Sequence, residues 1–150
     1  MDALSDVLKA VRLTGAIFFD VSAAPPWVAE APTGSHIIDD ICPGADHLIS
    51  FHVVTHGSCW GSLIGEGGTE LHPGDVIVFP QGDPHVMSSA AGMRGLPDLD
   101  RYQRPADRAL PFSLALGSGQ PATTRVVCGF LGCDTRPFNP LLASLPRVLH

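Results

Sequence analysis

The sequence predicts a mainly β protein, and three observations support this fold class. Hydrophobic residues are 45% and charged residues 16% of the 150-residue chain, enough to bury a core without disulfides. The 16 Gly and 14 Pro supply many turns. Between those turns lie short runs of β-branched and aromatic residues, and the apolar run 76–79 is typical of a strand buried on both faces. No internal repeat divides the sequence, so a single domain over residues 1–150 is expected.

Helices are predicted at the two ends of the domain. Residues 2–13 place four apolar side chains on one helical face, namely Leu4, Val7, Leu8 and Val11. Gly15 is expected to end this helix. Residues 139–150 begin with Asn139-Pro140, the pattern of a helix start, and continue with several leucines. The β region is then expected over about residues 16–133.

Two hairpins are predicted inside the β region. Residues 47–56 form a long, central strand, and period-2 alternation puts Ser50 and His52 on the same face. Residues 58–64 follow the turn residue Gly57 and are expected to pair with that strand. In the same way, residues 112–116 and 124–131 are expected to form the second hairpin.

The remaining segments are predicted to be irregular. Prolines bracket Trp27, which leaves a short extended piece at Trp27-Val28, and residues 36–38 are weakly strand-like. Glycines and prolines interrupt a polar sequence over residues 88–111. A loop of that length in a compact domain is usually functional or disordered.

Charge and composition exclude several classes of function. The net charge of −6 and the pI of about 5.5 leave no basic face to neutralise phosphates, so this chain is not expected to bind DNA itself. The first six residues are acidic rather than basic, and no apolar run approaches the ~20 residues of a membrane span. We expect a cytoplasmic protein. Its four cysteines are then expected to be thiols: Cys42, Cys59, Cys128 and Cys133.

The segment 74–85 resembles the second motif of the cupin superfamily. The motif has Gly, five residues, Pro, one residue, Gly, two residues and His, and all four positions are met, by Gly74, Pro80, Gly82 and His85. The resemblance implies a cupin double-stranded β-helix, a jelly-roll-like antiparallel barrel with an internal pocket. The residues expected to line that pocket are His52, His85, Phe51, Val54, Trp60 and Phe79.

Metal-dependent cupins also have a first motif with two histidines and a glutamate, which this sequence lacks. Aligning that motif on Gly57 puts Ser50 at the glutamate position, so His85 is the one clear ligand and no cofactor is expected. A shifted zinc or iron site stays open, with candidate ligands His47, His52, His85 and Cys59. The alternatives are that His52 is a half-buried core histidine, or that His52 or His85 contacts an organic ligand directly.

A closer resemblance covers nearly the whole chain. Four stretches are similar to the cupin-type regulatory domain at the N-terminus of AraC-family transcription regulators, and these stretches are residues 13–19, 42–54, 74–80 and 128–142. The resemblance implies a barrel that senses a small molecule or mediates dimerisation. It also implies that DNA is contacted through a C-terminal helix-turn-helix domain, and this chain stops at about the position where the linker to that domain would start.

Three hypotheses follow. The first is a non-enzymatic effector-sensing domain, forming a homodimer, whose pocket is closed by the loop over residues 89–111. The second is a metal-dependent cupin enzyme of the dioxygenase or isomerase type, with a shifted histidine site. The third is a dimerisation module without a ligand, held together through the C-terminal leucines Leu141, Leu142 and Leu145.

Overall fold

The computed structural model describes residues 2, 3, 6, 13–105, 107–118, 121–134 and 140–150. Most of the predicted helix over residues 2–13 therefore lies outside the described residues. Within the described part, the strands are β1 (Thr14–Ala23), β2 (Val28–Ala31), β3 (His47–His56), β4 (Cys59–Leu63), β5 (Thr69–Leu71), β6 (Val76–Phe79), β7 (His85–Ser88), β8 (Phe112–Leu116) and β9 (Thr124–Cys133).

The helices are short. They are α1 (Ile38–Ile41), α2 (Pro140–Ser144) and single 3-10 turns at Gly34–His36 and Leu99–Tyr102. In the described part of the chain, none of the helices has the length and apolar character needed to cross a membrane. The weak strand predicted at residues 36–38 is wrong, because these residues belong to two consecutive helical turns.

The strands form two sheets that share one core. The five-stranded sheet has the order β6-β3-β9-β1-β8, and the four-stranded sheet has the order β2-β7-β4-β5. All neighbours are antiparallel except β1 and β8. Buried side chains of both sheets pack in a single cluster that includes Phe18, Val54, Ile77, Leu63 and Leu71. This two-sheet barrel confirms the predicted mainly β fold class.

Neither predicted hairpin is present. After β3 the chain turns at Gly57, whose φ is +68°, and a Cβ there would clash with the carbonyl oxygen of Thr123. The chain then crosses to the other sheet, where β4 pairs with β5 and β7. Similarly, β8 pairs in parallel with β1, which separates it from β9. Closing two sheets over one core takes precedence here over pairing of sequence neighbours.

Strand β6 is buried on one face only, whereas the sequence predicts burial on both faces. Ile77 and Phe79 are fully buried, whereas Val78 is half-buried and Val76 is 41% exposed. The reason is its position, because β6 is the outer strand of the five-stranded sheet and pairs with β3 on one side. On its other side it makes a single bridge, between Val78 and Leu149.

The C-terminal helix α2 packs against the outer surface of the five-stranded sheet. Leu142 is buried there with Ile49 and Cys133. Leu142 therefore contributes to packing inside the chain, and its part in dimerisation stays a prediction. Leu145 is half-buried, and the side chain of Leu141 lies outside the described residues.

The loop between β6 and β7, residues 80–84, holds the segment that follows α2. Gln81 Nε2 donates hydrogen bonds to the carbonyl oxygens of Leu142 and Leu145, at 2.9 and 3.0 Å. These bonds satisfy acceptors at the end of α2 that have no partner within the helix. Two residues further along the loop, the Asp83 carboxylate pairs with Arg147 at 3.1 Å. The 80–84 loop therefore joins the barrel to the C-terminal segment.

Candidate functional site

A cavity of about 50 Å³ lies inside the barrel, between the two sheets. Its walls are mostly apolar and include Phe19, Val21, Met87, Leu114, Val126 and Phe130. This volume has room for a few water molecules. An organic ligand would need the cavity to widen. The segment that contributes Arg101 and Tyr102 to the cavity wall could move to allow this.

That segment, residues 94–102, is anchored through Glu30 on β2. The Glu30 carboxylate accepts hydrogen bonds from Arg94 Nη2 at 2.8 Å and from the backbone N–H of Gly95 at 2.9 Å. The bond from Arg94 lowers the pKa of Glu30, so this carboxyl group is ionised at neutral pH. At the other end of the segment, Tyr102 is buried with its ring against Phe19. We call residues 94–102 the lid segment.

A chain of hydrogen bonds crosses the polar side of the cavity. Cys128 Sγ lies 2.8 Å from His52 Nδ1, and His52 Nε2 lies 2.8 Å from His85 Nε2. His85 Nδ1 lies 3.0 Å from the backbone oxygen of Asp83. Since that oxygen only accepts, His85 carries its proton on Nδ1, and its Nε2 accepts from His52. His52 Nδ1 must then accept from the Cys128 thiol, so every donor in the chain has an acceptor.

This arrangement keeps all three side chains neutral. Burial lowers the pKa of His85 to about 4, although the Asp83 backbone oxygen opposes the shift. Burial and the neighbouring His85 lower the pKa of His52 well below its ordinary value. Burial also raises the pKa of the Cys128 thiol. A neutral, hydrogen-bonded thiol is not an activated nucleophile.

The structure brings together two of the six residues predicted to line the pocket. His52 and His85 are in the cavity wall. The other four do not line it: Phe51, Val54, Trp60 and Phe79. Phe51 lies on the opposite face of β3 from His52, as the period-2 alternation of a strand requires. Its aromatic character is therefore not enough to place it in the pocket. Phe79 instead supports the site, because its ring stacks on His85 at 3.8 Å with an interplanar angle of 11°.

Sequence reasoning missed Cys128, Trp27 and Tyr102 as cavity residues. Cys128 is the cross-strand neighbour of His52 in the β3–β9 register. The predicted hairpins pair β3 with β4 and β9 with β8, so they do not predict that β3 and β9 are neighbours. Tyr102 comes from the segment without a pattern, where no periodicity predicts which side chain is buried.

The four candidate metal ligands do not converge on one point. His47 Nε2 contacts the backbone oxygen of Pro80 at 2.6 Å, and Cys59 lies in the apolar core. The nitrogens of His52 are already taken by His85 and Cys128. Among the described residues, no group of three or more His, Cys, Asp or Glu side chains could hold a metal ion. The predicted shifted zinc or iron site does not fit these side chains.

Replacing Cys128 with alanine is expected to lower the free energy of unfolding by about 1–3 kcal/mol, because His52 Nδ1 becomes a buried acceptor without a donor. Cys128→Ser keeps a donor and is expected to lose less. Cys59→Ala is the control, since that thiol is equally buried but lies outside the hydrogen-bond chain. Urea unfolding at pH 7.5 measures all three, and equal losses for Cys128→Ala and Cys59→Ala would contradict this role of the thiol.

The two-sheet barrel, the internal cavity and the motif that ends at His85 define the cupin class. A family model described as Cupin matches residues 2–150, and the chain belongs to this family. No solved structure matches the chain significantly.

A curated relative adds a second finding. An "Uncharacterized HTH-type transcriptional regulator" of Haemophilus influenzae (strain ATCC 51907 / DSM 11121 / KW20 / Rd) is 31% identical over 100 residues. The match covers 67% of this chain and 31% of the relative, so the chain spans about a third of that protein's length. Both findings agree with the predicted resemblance to the cupin domain of AraC-type regulators.

Proposed function

We propose that this chain is the effector-sensing domain of an AraC-type transcription regulator that acts in the cytoplasm, and that it binds a small molecule inside the barrel without chemical turnover. The observation that carries the proposal is the apolar cavity, whose histidine and cysteine side chains bond to one another rather than forming a metal or acid–base site. The regulator-like relative supports the same class of function. DNA contact would then belong to a separate helix-turn-helix part.

Entry of an effector requires the lid segment to move. Its anchor is the ion pair of Glu30 with Arg94, in which the carboxylate is buried and the guanidinium is exposed to water. Tyr102 closes the mouth by packing its ring edge-on against Phe19 and Phe130. Moving the lid segment outward would widen the cavity and leave both sheets intact. The lid segment is thus the expected point of entry.

The 80–84 loop gives an effector a physical route to the C-terminal segment. His85 faces the cavity and donates a hydrogen bond to the backbone of Asp83, and the Asp83 carboxylate holds Arg147. An effector that displaces His52 or His85 would shift this loop. The hydrogen bond from Gln81 to the carbonyl oxygen of Leu142 would then be weakened. Occupancy of the cavity would in this way change the balance between two positions of the C-terminal segment.

A homodimer, the other property implied by the resemblance, has less support. Leu142 of the C-terminal leucines is buried against Ile49 and Cys133 in its own chain.

An effector found in a panel of small metabolites is expected to raise the free energy of unfolding by about 2.7 kcal/mol at a hundred times its dissociation constant. Ala31→Leu should abolish this gain, because Ala31 lines the cavity and the larger side chain fills it. Ala115→Leu is the matched control, since Ala115 is exposed on β8. Urea unfolding with and without each metabolite gives the measurement.

Two outcomes would contradict the proposal. One is stabilisation that survives Ala31→Leu, which would place the ligand outside the barrel. The other is metal-dependent turnover of the stabilising metabolite that is lost in His85→Gln, which would favour the cupin enzyme instead.

A further inference from the structure

Trp27 has an unused hydrogen-bond donor at the cavity. The side chain lines the cavity and is 4% exposed. Among the described residues, its Nε1 is the one buried side-chain nitrogen or oxygen without a hydrogen-bond partner. Native proteins rarely leave such a group unpaired, because a buried donor without an acceptor costs about 1–3 kcal/mol. Trp27 therefore combines a place in the cavity wall with an unpaired indole N–H.

Hydrogen bonds hold the backbone of Trp27 in place. The Trp27 backbone N–H donates to Ser89 Oγ at 3.0 Å, and the Trp27 carbonyl oxygen accepts from the Ser89 backbone N–H at 3.0 Å. Both bonds tie the start of β2 to the residue that follows β7. The Trp27 backbone is therefore held beside the cavity, and its indole is buried without a hydrogen-bond partner.

The other cavity groups restrict the charge of a ligand. His52 and His85 are neutral and already bonded to each other. The Glu30 carboxylate is held by Arg94 and Gly95. Arg101 is the one cationic side chain among the lining residues, and it lies within 3.9 Å of Asp98. Burying an ionised ligand among these groups would cost more than burying a neutral one.

The aromatic side chains restrict its shape. Tyr102 packs edge to face against both Phe19 and Phe130, and all three residues line the cavity. Trp27 adds a fourth ring to the lining. Such walls favour a compact, flat, apolar molecule.

Building on the proposed function, we infer that the cavity takes a small, uncharged, mainly apolar ligand whose oxygen accepts a hydrogen bond from Trp27 Nε1–H. A ketone, aldehyde or lactone oxygen on a ring-sized apolar body meets these requirements. A hydrocarbon would leave the indole donor unpaired, and a carboxylate would have to draw Arg101 away from Asp98.

The test uses acetophenone, its hydrocarbon counterpart ethylbenzene, and benzoate as probes of the full 150-residue chain. Acetophenone is expected to bind about tenfold more tightly than ethylbenzene. Trp27→Phe, which keeps an aromatic ring but removes the donor, should weaken acetophenone by a similar factor and leave ethylbenzene unchanged. Trp60→Phe is the control, because it replaces the chain's other tryptophan, which does not line the cavity.

Indole N–H signals of ¹⁵N-labelled protein give a readout that does not depend on stability. The Trp27 signal, assigned by its absence in Trp27→Phe, should move on addition of acetophenone, and the Trp60 signal should not. An unmoved Trp27 signal, equal binding of acetophenone by Trp27→Phe, or tighter binding of benzoate would overturn the inference. If one of these results is found while Ala31→Leu still abolishes binding, the sensing proposal stands and the ligand class alone is wrong.

Discussion

Lowering the pH from 6.5 towards 4 is expected to lower the free energy of unfolding by about 1.4 kcal/mol per pH unit through His85, and His52 acts in the same direction. Both histidines have a folded-state pKa below the ordinary value of 6.5, and that of His85 is about 4. Above pH 6.5 they are neutral in both states, so they make no difference. Below pH 6.5 the unfolded chain binds protons that the folded chain excludes, which favours unfolding. For His85 the total is about 3 kcal/mol.

Urea unfolding at pH 7.5, 6.5, 5.5 and 4.5 measures this dependence. His85→Gln should reduce the slope by the contribution of one histidine, about 1.4 kcal/mol per pH unit. His56→Gln should leave it unchanged, since His56 is exposed at the end of the same strand as His52. Glu30 contributes in the same way to wild type and to His85→Gln, so its contribution cancels when the two slopes are compared. Identical slopes in wild type and His85→Gln would show that His85 is not buried in the neutral form.

Phe79→Ala is expected to lower the free energy of unfolding by about 3–5 kcal/mol. Phe79 is fully buried, and its ring covers one face of His85 at 3.8 Å. Removing it leaves a cavity next to the histidine pair. Phe51→Ala is the control, because Phe51 is half-buried on the other face of the sheet and should cost less.

The same variant should also affect the titration of His85. Water that enters the new space would hydrate the imidazolium and raise the pKa of His85 towards 6.5. The NMR chemical shift of the His85 ring against pH measures the change. A loss of stability without any change in that titration would show that Phe79 fills the core but does not control the environment of His85.

The local pattern of the sequence predicts a mainly β fold, and the resemblance of residues 74–85 to a cupin motif implies the barrel and one side of its site. The motif from Gly74 to His85 places a histidine at the start of β7, and alternation in β3 puts His52 on the same side as Ser50. Both histidines are in the cavity wall for these reasons. Alternation also puts Phe51 on the opposite face of β3. The prediction that Phe51 lines the pocket is wrong, because it rests on the aromatic side chain and not on the position in the strand.

Strand partners could not be predicted in this way, because they depend on contacts between distant parts of the chain. Gly57 is a good hairpin residue, yet it lies where the chain leaves β3 and crosses to the other sheet, close to the backbone of Thr123. The contact of His52 with Cys128 depends on the β3–β9 register, which follows from that crossing. The unpaired N–H of Trp27 depends on the position of one atom, which no sequence pattern records.

The bridge between Val78 and Leu149 protects the domain against self-association. Each backbone N–H of the pair donates to the carbonyl oxygen of the other at 2.8 Å, and these groups would otherwise be open on β6. An unprotected strand of this kind recruits strands from other molecules, and the exposed Val76 beside it would add to the attraction. The last few residues described thus keep neighbouring molecules apart, and shortening the chain before Val148 would favour aggregation.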